Sequence, residues 1–418
     1  MLIEFSVANF RSLRESQTLS LAKAKGGELV ESNTFAVQAY NRFELLRSAA
    51  IYGPNASGKS NLLLALRTMR QVVLESATMQ RGDPLPVTPF RLHPLSTRQP
   101  SEFEVSFIVG EVRYQYGFSA SATRIYEEWL LAYPKGRPQR WFGRIWDEQR
   151  AMYEWELGNN LSGEKQLWQK STRDNALFLS TAVQLNSEPL QPIYDWFKKT
   201  LCITPASGWP NAFSRSLCEQ SAKARVIDFL RAADLDIDDI QVEKQPFDAH
   251  ELPSDMPESL RAAIADDMKN KIKTVHKDSS GESIVFDLAD ESDGTQKVFA
   301  LAGPWLGTLS NGYVLFIDEL HGNLHPRLVQ FLVQLFQNQE TNPNNAQLIF
   351  TTHETSILTQ EVFRRDQIWF CEKTREQATS LYPLTDFTPR KGPENLKMSY
   401  LSGCYGAMPY IRSLQQGA

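Results

Sequence analysis

The chain has 418 residues, enough for two or three packed units, and its 42% hydrophobic and 22% charged residues are those of an ordinary globular protein. A net charge of −5 argues against a generic, sequence-blind nucleic-acid binder, though not against a local basic surface. No apolar run of about 18 residues exists to span a membrane, and the opening Met1-Leu2-Ile3-Glu4 lacks the basic start of a signal peptide. The four cysteines, Cys202, Cys218, Cys371 and Cys404, form no CxxC pair, so a cytoplasmic protein with buried, reduced thiols is expected.

Alternating apolar positions Ile3, Phe5 and Val7, then Leu19 and Leu21, predict an antiparallel strand pair flanking Asn9-Phe10-Arg11-Ser12. Residues 22–43 read as a polar connection. An apolar run over 45–52 predicts a buried strand ending at Gly53, and from Lys59 onward Leu62, Leu63, Leu66, Met69 and Val72 follow helical spacing. Between strand and helix stands Gly53-Pro54-Asn55-Ala56-Ser57-Gly58-Lys59-Ser60, which fits the Walker A pattern. Its glycines let backbone N–H groups turn inward around a β-phosphate, and the helix that follows adds its positive dipole end. Lys59 would reach the β- and γ-phosphates and Ser60 would ligate Mg²⁺. The competing reading, a Gly-rich turn with an exposed lysine, leaves the flanking strand and helix unexplained.

Residues 80–100, rich in Pro, Arg, Ser and Thr, read as a linker. Phe103, Val105 and Phe107, then Val112, Tyr114, Tyr116 and Phe118, share faces of successive strands, predicting a small antiparallel sheet that runs to about 155. Residues 160–275 read as a helical insert with helices over 188–200, 222–233 and 257–274; its aromatic residues Trp168, Tyr194, Trp196 and Phe197 are expected in a core. No sustained heptads appear, so no long coiled coil is expected.

Strand character returns at 284–287, followed by Ser292-x-Gly294-x-Gln296 ahead of a helix expected to break near Pro304. Ser292 and Gly294 at a helix start can form an anion nest. The apolar strand 313–317 delivers Asp318 and Glu319, a Walker B pattern in which Asp318 would hold Mg²⁺, partly through water, and Glu319 would act as general base on the attacking water. A buried strand that merely ends in two solvated acids is the alternative. A helix over 326–337 and a strand over 347–351 lead to Thr352 and His353, where a histidine at a strand end can sense a γ-phosphate. Alternation of strands and helices predicts a parallel α/β sheet.

In this order the motifs resemble the ABC-type ATPases of the SMC and RecF-like branch. The resemblance implies an α/β ABC-type ATPase head, with a P-loop parallel sheet plus an antiparallel β subdomain and a helical insert. It divides the chain into 1–160, 161–280 and 281–418. It implies ATP and Mg²⁺ as cofactors and a homodimer or higher even-numbered oligomer. Arg11 and Ser12 would be nucleotide contacts, Lys59, Ser60 and Asn61 phosphate and Mg²⁺ contacts, and Ser292, Gly294 and Gln296 would reach the partner protomer's γ-phosphate, with His353 the switch histidine.

Further segments are similar to the bacterial ATPase family often labelled AAA-15 or RloA/AbiL-like, over nearly the full chain. They include Glu291 to Lys297, Ile317-Asp318-Glu319-Leu320, Leu324-His325-Pro326, Thr352-His353-Glu354, Glu127-Glu128-Trp129-Leu130 and Tyr405-Gly406-Ala407. This implies a sensing or signalling ATPase of antiphage defence with a separate effector, an RloB-like or TOPRIM-type nuclease. Two departures stand out: His321-Gly322-Asn323-Leu324 lacks the acid common in the D-loop, and no Q-loop glutamine is evident, with Thr88-Pro89-Phe90 its expected place. No appended C-terminal nuclease of the kind found in OLD-type relatives is expected after the ABC core.

Two other readings use the same motifs. A RecF-like DNA repair ATPase needs a basic surface, for which Lys269, Lys271, Lys273 and Lys277 are the candidates, against their being a solvated helix face. A scaffold would hold a toxic partner through residues 160–275. A nuclease within the chain finds no support in Asp248 with His250 or in Asp266-Asp267, which are sparse.

Overall fold

Alternating aromatic and β-branched residues build the larger sheet of this computed structural model, which describes residues 1–39, 41–205, 208–220, 222–248, 258–388 and 394–410. His250 lies outside the described residues. The chain forms two units: Met1–Ile203 with Gly312–Leu320 and Val333–Ala418, and Thr204–Asn311 with His321–Leu332.

The first unit carries a seven-stranded antiparallel sheet ordered Met152–Leu157, Gln139–Asp147, Ile125–Tyr133, Val112–Ala120, Ser101–Val109, Leu2–Ala8 and Gln17–Ser20. The expected pairing of the two N-terminal runs is present, with Phe5 opposite Leu19. A six-stranded sheet is ordered Leu201–Ile203, Val314–Ile317, Gln347–Thr351, Ser48–Tyr52, Ile368–Lys373 and Thr379–Pro383. All its neighbours are parallel except the last pair. The helix Lys59–Glu75 buries Leu62, Leu63, Leu66, Met69, Val72 and Val73 in one core with Phe5, Phe103 and Phe107 of the antiparallel sheet and with Ile51, Phe316 and Ile349 of the parallel one. The expected α/β class, with a P-loop parallel sheet and an antiparallel β subdomain, is what the chain adopts.

Residues 22–43 are not the simple connection expected. Thr34–Ala39 pairs antiparallel with Asn41–Leu46, and the buried Phe35, Val37 and Ala39 pack with Ile3, Leu45 and Ile108. Residues 161–203 lie within the first unit, where Trp196 stacks on Phe107 with ring centroids 4.2 Å apart. The Glu127–Leu130 segment is structural. Glu128 and Arg144, both wholly buried, pair at 3.0 Å. Glu128 also accepts the Tyr116 hydroxyl (3.1 Å) and the N–H groups of Phe178 (2.7 Å) and Leu179 (3.0 Å), which ties the sheet to the start of the helix Phe178–Gln184.

In the second unit the helix expected over 257–274 stops at Lys269, and Asn270–Lys277 is instead the middle strand of a sheet between Asp239–Lys244 and Ser283–Asp287. Pairing on both edges, with Ile272, Thr274 and Val275 buried, outweighs the helical pattern. The helix Asp293–Asn311 also runs unbroken through Pro304. Proline removes one N–H from the ladder and crowds the preceding turn. Here Ser214 takes up the slack: its hydroxyl accepts the Gly303 N–H at 2.8 Å and donates to the Phe299 carbonyl at 2.5 Å. A Cβ at Gly303 would stand 2.6 Å from the Ser214 nitrogen, so only glycine admits this close approach. Among the described residues no helix is long and apolar enough to cross a membrane.

Candidate functional site

Open parallel sheets place ligands beyond the carboxyl ends of their strands. Three adjacent strands of the first unit end in the residues singled out above. Ser48–Tyr52, entirely buried, leads to Gly53; Val314–Ile317 leads to Asp318; Gln347–Thr351 leads to His353.

The P-loop has the backbone its sequence demands. Gly53, Ala56 and Gly58 have φ of 153°, 62° and 109°. A Cβ at Gly53 would stand 2.1 Å from the Cys371 carbonyl oxygen, and one at Gly58 would stand 2.0 Å from the Thr379 hydroxyl. Asn55, Ala56 and Ser60 are exposed, whereas Ser57, Gly58 and Lys59 are buried. The Lys59 ammonium donates to the carbonyls of Gly53 (2.7 Å) and Pro54 (2.9 Å). Burial pushes its pKa down, while Cys371, Asp318 and Glu319 pull it back up. The Ser57 hydroxyl is buried with no hydrogen-bond partner. A glycine-shaped cradle, an unpartnered buried hydroxyl and a buried ammonium at a helix start fit a phosphate group.

Thr351, fully buried, organises the acids. Its hydroxyl donates to Asp318 Oδ1 at 2.5 Å and accepts the Glu319 N–H at 2.8 Å. Asp318 is half-buried; Glu319 is exposed with φ of 50°. His353 lines a cleft of about 850 Å³ together with Gly53, Pro54, Asn55 and Ser57 of the P-loop. The hard oxygen donors Ser60 and Asp318 suit Mg²⁺. Among the described residues there is no separate cluster of three or more His, Cys, Asp or Glu for a metal.

The N-terminal motif is split. Arg11 is exposed, with φ of 49° and its N–H on the Thr88 carbonyl (2.9 Å). Ser12 points at the P-loop helix, where its hydroxyl accepts from Asn61 Nδ2 at 2.7 Å and lies 2.8 Å from the Thr379 hydroxyl. Phe90 in the linker donates its N–H to Asn9 Oδ1 at 3.1 Å. Sequence reasoning missed Glu372, Lys373 and Thr379 of the C-terminal hairpin Ile368–Lys373 and Thr379–Pro383; the first two line the cleft. The apolar run Ile368 to Cys371 was the signal for this hairpin.

The second unit holds the remaining predicted group. Ser292 is exposed at the start of the helix Asp293–Asn311, and its hydroxyl accepts the Thr295 N–H at 3.2 Å. Gln296 folds back, donating to the carbonyls of Glu291 (2.8 Å) and Ala289 (3.2 Å). The Glu291 carboxylate is held by Thr274 (2.5 Å) and His276 (2.7 Å). Gly294 passes the Asn323 carbonyl so closely that a Cβ would lie 3.3 Å from it.

An AAA-domain family described as putative AbiEii toxin, type IV TA system, matches residues 48–359. No curated protein sequence matches the chain. Among solved structures, the SMC head domain from Thermotoga maritima is similar at 13% identity and a TM-score of 0.40, over 91% of this chain and 98% of its own. The SmcHead bound to the C-winged helix domain of ScpA is similar at 13% and 0.40, over 91% and 97%. The Smc head domain bound to the C-terminal domain of ScpA derived from Pyrococcus furiosus is similar at 11% and 0.36, over 91% and 96%. The family match takes in the P-loop, both acids and His353, so the chain belongs to the AAA-domain family described as putative AbiEii toxin, type IV TA system, and carries an ATPase-type, nucleotide-binding domain.

Proposed function

We propose that the chain binds ATP with Mg²⁺ and hydrolyses it as one half of an ATP-gated dimer serving bacterial antiphage defence, with a separate effector such as an RloB-like or TOPRIM-type nuclease. The observation that carries this reading is the meeting, at the carboxyl ends of three adjacent parallel strands, of the P-loop, the Asp318–Glu319 pair and His353. Lys59 would exchange its two loop carbonyls for phosphate oxygens, and Ser60 and Asp318 would hold Mg²⁺, which when bound would supply neutralisation of phosphate charge. Glu319, exposed at its strand end, takes the proton of the attacking water. Ser292 and Gly294, exposed or half-exposed at a helix start, would serve the partner protomer's nucleotide, and Gln296 would join them by releasing the Glu291 and Ala289 carbonyls. Glu319→Gln should therefore retain ATP and accumulate as a dimer. If that variant stays monomeric at saturating ATP and Mg²⁺ in sedimentation runs, the sandwich is wrong.

The family description supports a second reading, in which the chain is itself the toxin of a two-component system. Growth arrest on expression of the chain alone, lost with Lys59→Ala, favours that; arrest only with a neighbouring gene favours the separate effector. For the DNA-repair alternative, three of its four candidate lysines, Lys271, Lys273 and Lys277, lie within ion-pair distance of Asp287 (3.7 Å), Glu243 (2.6 Å) and Asp238 (3.8 Å), which supports a charge-paired face; a DNA-stimulated ATPase rate lost at moderate salt would favour the DNA reading instead.

A further inference from the structure

We propose that Thr379, acting with Ser12, is a positioning residue that aims the Gly58 N–H at the bound phosphate; this rests on the ATP reading. The two hydroxyls lie in a hydrogen-bond chain whose direction is forced. Asn61 Nδ2 can only donate, and it reaches Ser12 Oγ at 2.7 Å. The Ser57 carbonyl can only accept, and it takes the Thr379 hydroxyl proton at 2.8 Å. Thr379 has spent its one proton there, so in the 2.8 Å contact between the hydroxyls Ser12 is the donor. The sense is Asn61 to Ser12 to Thr379 to the Ser57 carbonyl. Lys373 adds a donor to Thr379 at 3.3 Å, and the Thr379 N–H returns to the Ser12 carbonyl at 2.7 Å.

The consequence falls on one peptide. Ser57 C=O and Gly58 N–H belong to the same planar trans unit, so they point in opposite directions. A carbonyl pulled toward Thr379 turns the Gly58 N–H away from it, to the side where the loop's amides converge on a phosphate. The Cys371 thiol, 3.5 Å from the same oxygen, reinforces the pull. The clamp needs glycine at 58, because Thr379 occupies the space of its missing Cβ. The strand Thr379–Pro383 and the turn after Leu2–Ala8 thus reach the loop from opposite ends of the chain.

The test titrates ADP and ATP with Mg²⁺ into the full chain by calorimetry and follows steady-state hydrolysis. Thr379→Val keeps the shape and removes the hydroxyl; Thr379→Ser keeps the hydroxyl. Thr379→Val should weaken both nucleotides ~10-fold, the loss of one well-aimed hydrogen bond to a charged ligand. Thr379→Ser should stay within about threefold of wild type. The loss should appear in KM more than in kcat, since the Gly58 N–H contacts ground and transition states alike. Wild-type affinity in Thr379→Val, or equal weakening in Thr379→Ser, overturns the clamp. Should Thr379→Val fail to fold, Ser12→Ala breaks the chain one link earlier, and wild-type affinity there overturns it too. If the wild type binds neither nucleotide, or Lys59→Ala binds as well as wild type, the ATP reading itself falls, a distinguishable result.

Discussion

Thr351→Val isolates how the strand beside the P-loop sets the acids. The substitution keeps the side chain's shape in a fully buried position and removes two contacts, the 2.5 Å bond to Asp318 Oδ1 and the 2.8 Å bond from the Glu319 N–H. A hydrogen bond to an ionised group contributes ~1.5–3 kcal/mol and a neutral one ~1 kcal/mol. Asp318 is only half-buried, so water replaces part of its loss, and ~2 kcal/mol is the expected net effect on its placement. Spent in the transition state, that is a fall in kcat of about 30-fold. Phosphate release at saturating ATP should show it, together with a raised half-saturating Mg²⁺ concentration. Affinity for ADP without Mg²⁺ should not change, because Lys59 and the loop are untouched. A variant with kcat and Mg²⁺ dependence within about twofold of wild type would refute the reasoning, since Asp318 would then need no Thr351 to hold it.

Other predictions follow from buried groups. Burial holds the Lys59 pKa below its ordinary 10.5, and only the charged form pairs with phosphate, so nucleotide affinity should fall as pH rises through that lowered pKa. Binding there should take up protons, read by calorimetry in buffers of different ionisation heat; no uptake at alkaline pH counts against it. For folding the sign is opposite: the unfolded lysine binds more protons, so between the lowered pKa and 10.5 this group's contribution to the stability of the nucleotide-free protein rises with pH. Glu128→Ala should cost about 3–5 kcal/mol, because it strands Arg144 in a wholly buried site; a denaturant midpoint unchanged from wild type would show the pair to be dispensable. Ser214→Ala should cost about 1–3 kcal/mol and speed amide exchange at Gly303, whose N–H loses its acceptor; unchanged exchange would mean the helix closes its own ladder past Pro304.

The chemistry-bearing parts of the fold were legible because each is local. A buried strand, a glycine-rich turn and an amphipathic helix lie in one stretch from Ser48 to Glu75, and an apolar strand carries Asp318 on its end. What was illegible is what local pattern cannot hold. The helix through Pro304 depends on Ser214, a residue 89 positions from the Gly303 N–H that it accepts. The strand Asn270–Lys277 was hidden by helix-forming lysines and revealed only by pairing on both sides.

Ser12 shows the same limit at the site. Its motif suggests a direct nucleotide contact, yet its partner Thr379 is 367 positions away in a hairpin that no motif marks. Once Asn61 and the Ser57 carbonyl fix the direction of the chain, the single proton of Ser12 is committed to Thr379. On the proposed clamp Ser12 would therefore not also donate to a phosphate without breaking that chain, and its influence on a bound nucleotide would pass through the backbone of the loop.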